Sequence, residues 1–400
     1  MTGHKSAMLM SGRHGRLGVV LLCLASLLTC AAVTDLRADP LIPFIDAHAH
    51  IVRNLHGPSL SDAATQALRL MDRLGVAATI LAPPPIPWEQ RGSHGAQNLT
   101  KLVPDHPEGI AFIAGVEAFK PSPTHTAPAG PGEQRGYYSA QDLAKLAHDH
   151  PGRFAFTAGG ESLNPLIQRT PPQSVTPDVR GRFEREAEAI LQAGAAGFGE
   201  LAVEHFSSRI GRHPYVSAPA DHPLFLLLAD IAAKAGVPVE VHMEAVPQDM
   251  PFPNPRLAGS PNPPTVRENI SAFERLLDHN SAARIIWLHA GWDLSGERSV
   301  QLMRSLLARH ANLYMTIKSD RAGAPGSSPL APEGGLKPAW IALLRDFPDR
   351  FVIGSDQFLD EDPERLERAR EIVDALPPEL VHMIAIENVM RIYRLPATLR

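Results

Sequence analysis

Apolar strands alternate with helical segments along most of this sequence, and the alternation predicts a distorted TIM (β/α)8 barrel. Three observations support this fold: eight apolar runs of strand length, a helix or long connection after each run, and metal-binding residue types at the ends of several runs. The chain has 400 residues, 44% of them hydrophobic, which is enough for the core of one large barrel. A doubly wound sheet would need a glycine-rich turn after the first strand, where this sequence has histidines.

The predicted strands are short apolar runs that end in polar residues or at turn signals. They span residues 41–51, 76–82, 153–158, 196–201, 237–242, 283–289, 312–318 and 350–356. Helical spacing of apolar residues is found in 61–74, 139–148, 178–193, 222–235, 266–278, 297–309, 338–346, 363–375 and 378–393. Strands that alternate with helices form a parallel sheet, and eight such units in about 360 residues fit one barrel.

Residues 83–140, after the second predicted strand, are irregular and rich in proline and glycine. Such a stretch is far longer than the usual connection between elements of a compact domain. We therefore expect a long insertion at this point of the barrel, which would shape substrate specificity.

Residues 1–38 have the features of a signal peptide. Lys5, Arg13 and Arg16 precede an apolar run at 17–28, and small residues follow it. The run is short for a membrane span, although a retained anchor is the alternative. Cleavage would leave a barrel domain at residues 39–400 that is periplasmic or secreted, with no stable membrane insertion.

Both cysteines, Cys23 and Cys30, fall in the predicted signal peptide. Cys30 ends a sequence that approximates a lipidation box, so a membrane-anchored lipoprotein is an alternative address. The mature domain has no thiol, and its metal ligands must therefore be histidine and carboxylate. The net charge of −5 and the lack of a basic patch exclude nucleic acid as a partner and leave a small-molecule substrate. A homo-oligomer is compatible with the sequence.

The first strand ends in Asp46-Ala47-His48-Ala49-His50. Residues two apart on a strand share a face, so His48 and His50 project together. The motif is weak alone, because roughly one His-x-His is expected by chance among 18 histidines. Residues 148–150 have the same spacing at the end of a predicted helix.

Other strand ends supply the further ligands that His48 and His50 would need. In a barrel the carboxyl ends of all strands meet at one face, where active sites lie. Glu200, His242, His289 and Asp356 close the fourth, fifth, sixth and eighth predicted strands. Six side chains that can bind metal would therefore converge, as a zinc-like divalent ion requires.

With these residues the chain resembles the amidohydrolase superfamily, within it the amidohydrolase-related (amidohydrolase 2-like) group that includes hydrolases and decarboxylases. The resemblance covers residues 41–395, and its matching motifs are Asp46-Ala-His48-Ala-His50, Val241-His242, Leu288-His289-Ala-Gly291, Gly354-Ser-Asp356 and Glu387-Asn388-Val-Met-Arg391-Ile-Tyr393. As a set the motifs are specific for the superfamily, but they indicate almost nothing about the substrate.

The resemblance implies two metal positions. His48, His50 and Asp356 would hold a first metal, and His242 and His289 a second. Glu200 stands where many relatives have a carboxylated lysine or a glutamate that bridges two metals. Many single-metal relatives, decarboxylases among them, have no ligand on the fourth strand, so Glu200 favours two metals and hydrolysis.

Other roles are open for several of these residues. Glu200 could orient a histidine instead of binding metal, and Asp356 could cap the following helix. Lys318 ends the seventh predicted strand, where it would hold an anionic substrate group or be solvated. Three loop residues are further candidates for substrate contact: Glu161, Trp292 and His205.

The predicted activity is hydrolysis by a metal-activated water. Divalent metal lowers the pKa of bound water from about 15.7 to about 7, and Asp356 is the candidate general base. The substrate bond is an amide, ester, lactone or phosphoester. Zinc is favoured, with one or two ions per chain, and manganese and nickel fit the same ligands. A metal-dependent decarboxylase of an aromatic or unsaturated carboxylic acid is the alternative, and a non-catalytic binding barrel is a third.

Overall fold

Eight parallel strands form the centre of the protein. The computed structural model describes residues 41–54, 59–85, 135–207, 215–259, 261–319, 326–359 and 362–399. The barrel strands are β1 (Phe44–His50), β2 (Val76–Leu81), β3 (Phe154–Phe156), β4 (Phe198–His205), β5 (Pro238–Met243), β6 (Arg284–Ala290), β7 (Leu313–Ile317) and β8 (Phe351–Ile353). Neighbours in this order pair in parallel from β1 to β3 and from β4 to β8.

Two irregular joints close the ring. Beyond β3, Thr157 donates its N–H to the carbonyl of Leu81 at 2.9 Å, and the extended pair Ala158–Gly159 then pairs in parallel with β4. Beyond β8, the extended pair Gln357–Phe358 pairs in parallel with the end of β1. The predicted distorted TIM barrel is therefore confirmed, with two arcs of sheet joined where the backbone changes partner.

Helices lie between the strands and bury one apolar face against the barrel. They are α1 (Leu60–Leu74), α2 (Ala140–Asp149), α3 (Leu163–Arg169), α4 (Pro177–Gln192), α5 (Pro223–Ala235), α6 (Ile270–His279), α7 (Val300–Arg309), α8 (Pro338–Asp346), α9 (Glu364–Ala375), α10 (Pro378–His382) and α11 (Asn388–Ile392), with a π-helical turn, Met383–Glu387, joining the last two. In α1, Ser59 and Asp62 form a reciprocal capping box, and Gly75 ends the helix at φ 70°.

Two predicted helices begin later than expected. The helix predicted from residue 266 begins at Ile270, because Thr265–Val266 pairs as a short antiparallel strand with Met250–Pro251. The helix predicted from residue 297 begins at Val300, because Ser299 caps it by accepting the N–H of Leu302. Apolar spacing reports the buried face of a helix but not the residue at which it starts.

The predicted strand at 196–201 is longer in the structure, where β4 runs to His205. Its last two residues pair with the short strand Val216–Ser217 in antiparallel orientation. His205 therefore lies on a strand, and the expectation that it is a loop residue was wrong.

The long insertion after β2 connects Leu81 to α2. Its residues 86–134 lie outside the described residues, as do the predicted signal peptide at 1–38 and Cys30. At its end, Arg135–Tyr137 pairs in antiparallel orientation with Val52–Asn54, just after β1. Among the helices that the structure describes, none has the length and apolar character needed to cross a membrane.

Candidate metal centre

The strand ends bring all six predicted metal ligands together at one end of the barrel. Their ligand atoms form two groups, each with its atoms within 4.8 Å of one another. The first group is His48, His50, Glu200 and Asp356, and the second is Glu200, His242 and His289. Each of these side chains is buried, and Glu200 belongs to both groups.

The first group surrounds a space of the size that a metal ion needs. His48 Nε2 and His50 Nε2 each lie 3.6 Å from Oε2 of Glu200. Asp356 Oδ1 lies 3.9 Å from His48 Nε2 and 2.8 Å from His50 Nε2. Ligands about 2.1 Å from a tetrahedral ion lie about 3.4 Å apart, so most of these separations suit a divalent metal without rearrangement.

The second group meets the other oxygen of the same glutamate. His242 Nδ1 lies 2.7 Å from Oε1 of Glu200, and His289 Nε2 lies 3.3 Å from that oxygen. Glu200 therefore presents Oε2 to one pair of histidines and Oε1 to another pair. This is the geometry of a carboxylate that can bridge two ions.

The contacts among these side chains leave a buried polar atom without a partner, which a metal ion would satisfy. His48 is 1% exposed, and its Nε2 has no hydrogen-bond partner among the described residues. A buried polar atom without a partner costs free energy, so such atoms are rare unless an ion or water meets them. A nitrogen in this state that faces two carboxylates marks a metal-binding site, formed by His48, His50, Glu200 and Asp356.

The charges of the ligands are set by their neighbours. Burial raises the pKa of Glu200, but hydrogen bonds from His242 and His289, together with the nearby His48 ring, bring it well below its usual value. Burial lowers the pKa of His242, but hydrogen bonds to Glu200 and Glu244 raise it to about 9. Metal binding must displace this proton, so metal affinity will fall as the pH is lowered.

Asp46 is the member of the first motif that lies outside both ligand groups. Its Oδ1 accepts the backbone N–H of Ser355 at 2.8 Å, and its Oδ2 accepts the hydroxyl of Ser355 at 2.5 Å. The next residue, Asp356, has a left-handed backbone at φ 56°, which a non-glycine residue adopts only when its surroundings hold it. Asp46 thus fixes the turn that aims Asp356 at the histidines of β1.

Asp356 does not cap the following helix, because α9 begins only at Glu364. Its Oδ2 instead accepts hydrogen bonds from Lys318 at 2.5 Å and from Arg365 at 2.9 Å. Burial raises the pKa of Asp356, but the charges of Lys318, Arg365 and His289 hold it well below its usual range. The carboxylate is therefore ionised at neutral pH.

Three of the predicted substrate-binding residues lie beside the ligand groups. Lys318 is 1% exposed and sits 3.8 Å from the centre of the Trp292 ring, so the alternative of a solvated lysine was wrong. The Trp292 ring meets His242 and His289 edge to face, with centroid distances of 6.2 and 5.9 Å. The rings of His205 and His242 are 4.5 Å apart.

Glu161, the fourth predicted substrate-binding residue, turns back on its own loop. Its carboxylate accepts the backbone N–H of Gly159 at 3.1 Å, and burial raises its pKa. It supports the turn that follows the Ala158–Gly159 pair, and its role as a substrate contact stays a prediction.

Sequence reasoning missed two residues of the centre. Arg365 contacts Asp356 from the first turn of α9, a position that no pattern in the sequence marks. Glu244 lies just beyond the end of β5, with its Oε1 3.5 Å from His242 Nε2. Its spacing of two residues from His242 was the available signal.

Glu204, near the end of β4, gives the fold a pH dependence. Burial raises its pKa to about 7, although it accepts hydrogen bonds from Tyr215 and Ser217. The pKa of this acid is higher in the folded than in the unfolded state. Below pH 4.5 the carboxyl is protonated in both states and does not destabilise the fold, whereas its ionisation lowers the free energy of unfolding as the pH rises to 7.

The Glu204→Gln variant should therefore be less sensitive to rising pH than the wild type. Between pH 5 and pH 8 the free energy of unfolding of the wild type should fall by about 2 kcal/mol more than that of the variant. Urea unfolding at both pH values measures this difference. Glu188→Gln, an exposed change on α4, is the control and should follow the wild type. Parallel profiles for all three proteins would contradict the buried charge at Glu204.

A TIM barrel with histidines and carboxylates of this arrangement at its strand ends defines a class of metal-binding enzymes. The family model described as amidohydrolase matches residues 45–395. The chain belongs to the amidohydrolase family.

Solved structures to which the chain is similar include two decarboxylases and a probable hydrolase. The 5-carboxyvanillate decarboxylase of Sphingomonas paucimobilis is 14% identical, with a TM-score of 0.44 over 88% of this chain and 99% of that one. A probable 2-pyrone-4,6-dicarboxylic acid hydrolase of Acinetobacter baumannii is 12% identical, with a TM-score of 0.45 over 88% and 100%. The 2,6-dihydroxybenzoate decarboxylase of Rhizobium is 15% identical, with a TM-score of 0.45 over 88% and 99%. No curated protein matches the chain.

Proposed function

We propose that the protein is a hydrolase that uses a metal-activated water to cleave an amide, ester, lactone or phosphoester bond. One observation carries the proposal: the two oxygens of Glu200 face different pairs of histidines. Oε2 faces His48 and His50, and Oε1 faces His242 and His289. A shared carboxylate of this kind would let the two pairs of histidines hold one metal ion each, and paired ions would supply the chemistry of hydrolysis.

The bound metal supplies a Lewis acid that polarises the substrate and makes water acidic enough to attack at neutral pH. The protein supplies the base. Asp356 points Oδ1 into the first group and Oδ2 towards Lys318, so its carboxylate can take a proton from the attacking water and pass it to the leaving group. The buried histidines keep bulk water away from this transfer.

Zinc is the metal we propose. Four imidazoles and two carboxylates, with no thiol in the proposed mature chain, are borderline ligands that zinc accepts readily. Manganese and nickel accept the same donors, so the metal found in purified protein decides among them.

One feature favours a second candidate, a metal-dependent decarboxylase of an aromatic or unsaturated carboxylic acid. The first group alone already offers four donors, which is a complete set for one ion. With a single metal in that group, Glu200 would be an ordinary ligand and the second group would be free to bind substrate or move a proton.

A substrate panel separates the two functions. The metal-loaded protein is incubated with esters, lactones, amides and phosphoesters and, in parallel, with hydroxylated aromatic and unsaturated acids. Formation of an acid or alcohol from the first set, with no carbon dioxide released from the second, supports the hydrolase. Carbon dioxide release without hydrolysis would overturn it in favour of the decarboxylase.

Lys318 should give the enzyme a preference for substrates that carry a negative charge. Its ammonium lies between the Asp356 carboxylate and the Trp292 ring, beside the ligand groups. A hydrogen bond to a charged group contributes about 1.5–3 kcal/mol. Lys318→Met should therefore lower kcat/KM for an anionic substrate by about 10- to 100-fold.

The comparison uses matched substrates that differ only in a free carboxylate and its methyl ester. Loss of Lys318 should reduce the preference for the carboxylate member, because the neutral member never used the ammonium. An equal loss for both members would mean that Lys318 acts only on Asp356.

A further inference from the structure

Glu240 is a charged side chain inside the barrel that belongs to neither ligand group. It is fully buried on β5, two residues before His242, and so shares the face of that histidine one layer deeper. Burying a carboxylate without partners is costly, and the fold must therefore compensate for it.

Three groups surround the Glu240 carboxylate. The hydroxyl of Tyr393 donates to Oε1 at 2.7 Å, and the hydroxyl of Thr157 donates to Oε2 at 3.1 Å. The third is the His48 ring, whose Nδ1 lies 3.3 Å from Oε2, within ion-pair distance but not aligned for a hydrogen bond. Gly199 leaves the room for this arrangement, because a Cβ at that position would lie 2.2 Å from Oε2.

The contact with His48 has a consequence for metal binding. A neutral imidazole carries its proton on one nitrogen only, and the other nitrogen holds the lone pair that binds metal. A carboxylate 3.3 Å from Nδ1 favours the tautomer with the proton there, which leaves the lone pair of Nε2 for the first group. His50 is fixed in the same sense, with its Nδ1 2.7 Å from the carbonyl of Ala82, a neutral acceptor.

We propose that Glu240 is a positioning residue for the first metal position. It holds the ring and the tautomer of His48, and Tyr393 and Thr157 hold Glu240. The proposal rests on the metal centre of the proposed function. Through Tyr393, the segment after α11 is connected to a metal ligand on β1, although these residues are far apart in sequence.

A residue just beyond β5 provides a matched control. Glu244 lies two residues after His242, as Glu240 lies two residues before it, and its Oε1 is 3.5 Å from His242 Nε2. Glu240→Gln and Glu244→Gln are thus the same chemical change at equal distances in sequence from His242. The first lies behind a histidine of the first group, and the second lies beside a histidine of the second group.

The experiment measures Co²⁺ binding to metal-free mature protein by competition with a chelator, together with the visible spectrum of each bound Co²⁺. Losing a carboxylate behind a metal-binding histidine lowers metal affinity by about 10- to 100-fold. The His50→Ala variant identifies the first metal position, because it should abolish one Co²⁺ binding step. Glu240→Gln should weaken that same step by this factor and alter its visible spectrum. Glu244→Gln should leave that step within about twofold of the wild type, an effect below the range expected of such a carboxylate.

If Glu240→Gln binds Co²⁺ at that step with the affinity and spectrum of the wild type, the inference is overturned. It is also overturned if Glu244→Gln weakens that step equally. If Glu240→Gln does not fold, Tyr393→Phe decides instead, because it keeps the carboxylate but removes one of its donors. A several-fold weakening of the same step supports the inference, and unchanged binding contradicts it. A wild-type protein that binds no Co²⁺ at all would contradict the proposed function itself.

Discussion

Replacing Asp356 by asparagine should lower kcat/KM by about 10³- to 10⁴-fold, because general acid–base catalysis alone contributes about 10²–10⁴ and a metal ligand is weakened as well. Asparagine keeps the shape of the side chain but cannot take a proton. It also leaves Lys318 and Arg365 facing a neutral amide in place of the carboxylate that both now contact.

Steady-state kinetics on the substrate found in the panel test this expectation at saturating metal. Asp178→Asn, an exposed change in the first turn of α4, is the control and should keep wild-type activity. If the Asp356→Asn variant keeps more than about a tenth of the activity, the proton is taken by another group and the assigned mechanism is wrong.

Replacing Glu200 by glutamine should lower kcat/KM by about 10³-fold or more even when metal is supplied in excess. An amide has one oxygen and no charge, so it cannot serve two ions in the way proposed for Oε1 and Oε2. Four histidine rings would also lose the carboxylate that lies between them.

Activity and metal content of the Glu200→Gln variant should fall together. The Glu188→Gln variant makes the same chemical change at an exposed glutamate of α4, and it controls for the loss of a negative charge away from the centre. A Glu200→Gln enzyme with near wild-type turnover would show that one metal suffices, and would favour the decarboxylase.

Much of this centre could be predicted from the sequence because the geometry of a barrel brings the strand ends together. Once eight strands are recognised, their carboxyl ends must meet, so residues as distant as His48 and Asp356 are expected together. The left-handed backbone of Asp356 and its support by Asp46 could not be foreseen, because both depend on the turn after β8.

Contacts that depend on side-chain direction were also beyond the sequence. The position of Glu240 in an apolar strand implies that it is buried but does not name its partner, since Tyr393 is 153 residues away and reaches the barrel only when the last helices pack. For Lys318, position at a strand end fits both a buried and a solvated ammonium. Packing against Trp292 settles its burial.

The shared Glu200 carboxylate is the centre of this account, and metal content per chain tests it most directly. The protein is purified without added chelator, and wild type and Glu200→Ala are compared by elemental analysis. We expect about two equivalents in the wild type and one or fewer in the variant, because each ion would lose a ligand. One equivalent that the substitution leaves unchanged would contradict the bridge, and no metal even after reconstitution would contradict the metal mechanism altogether.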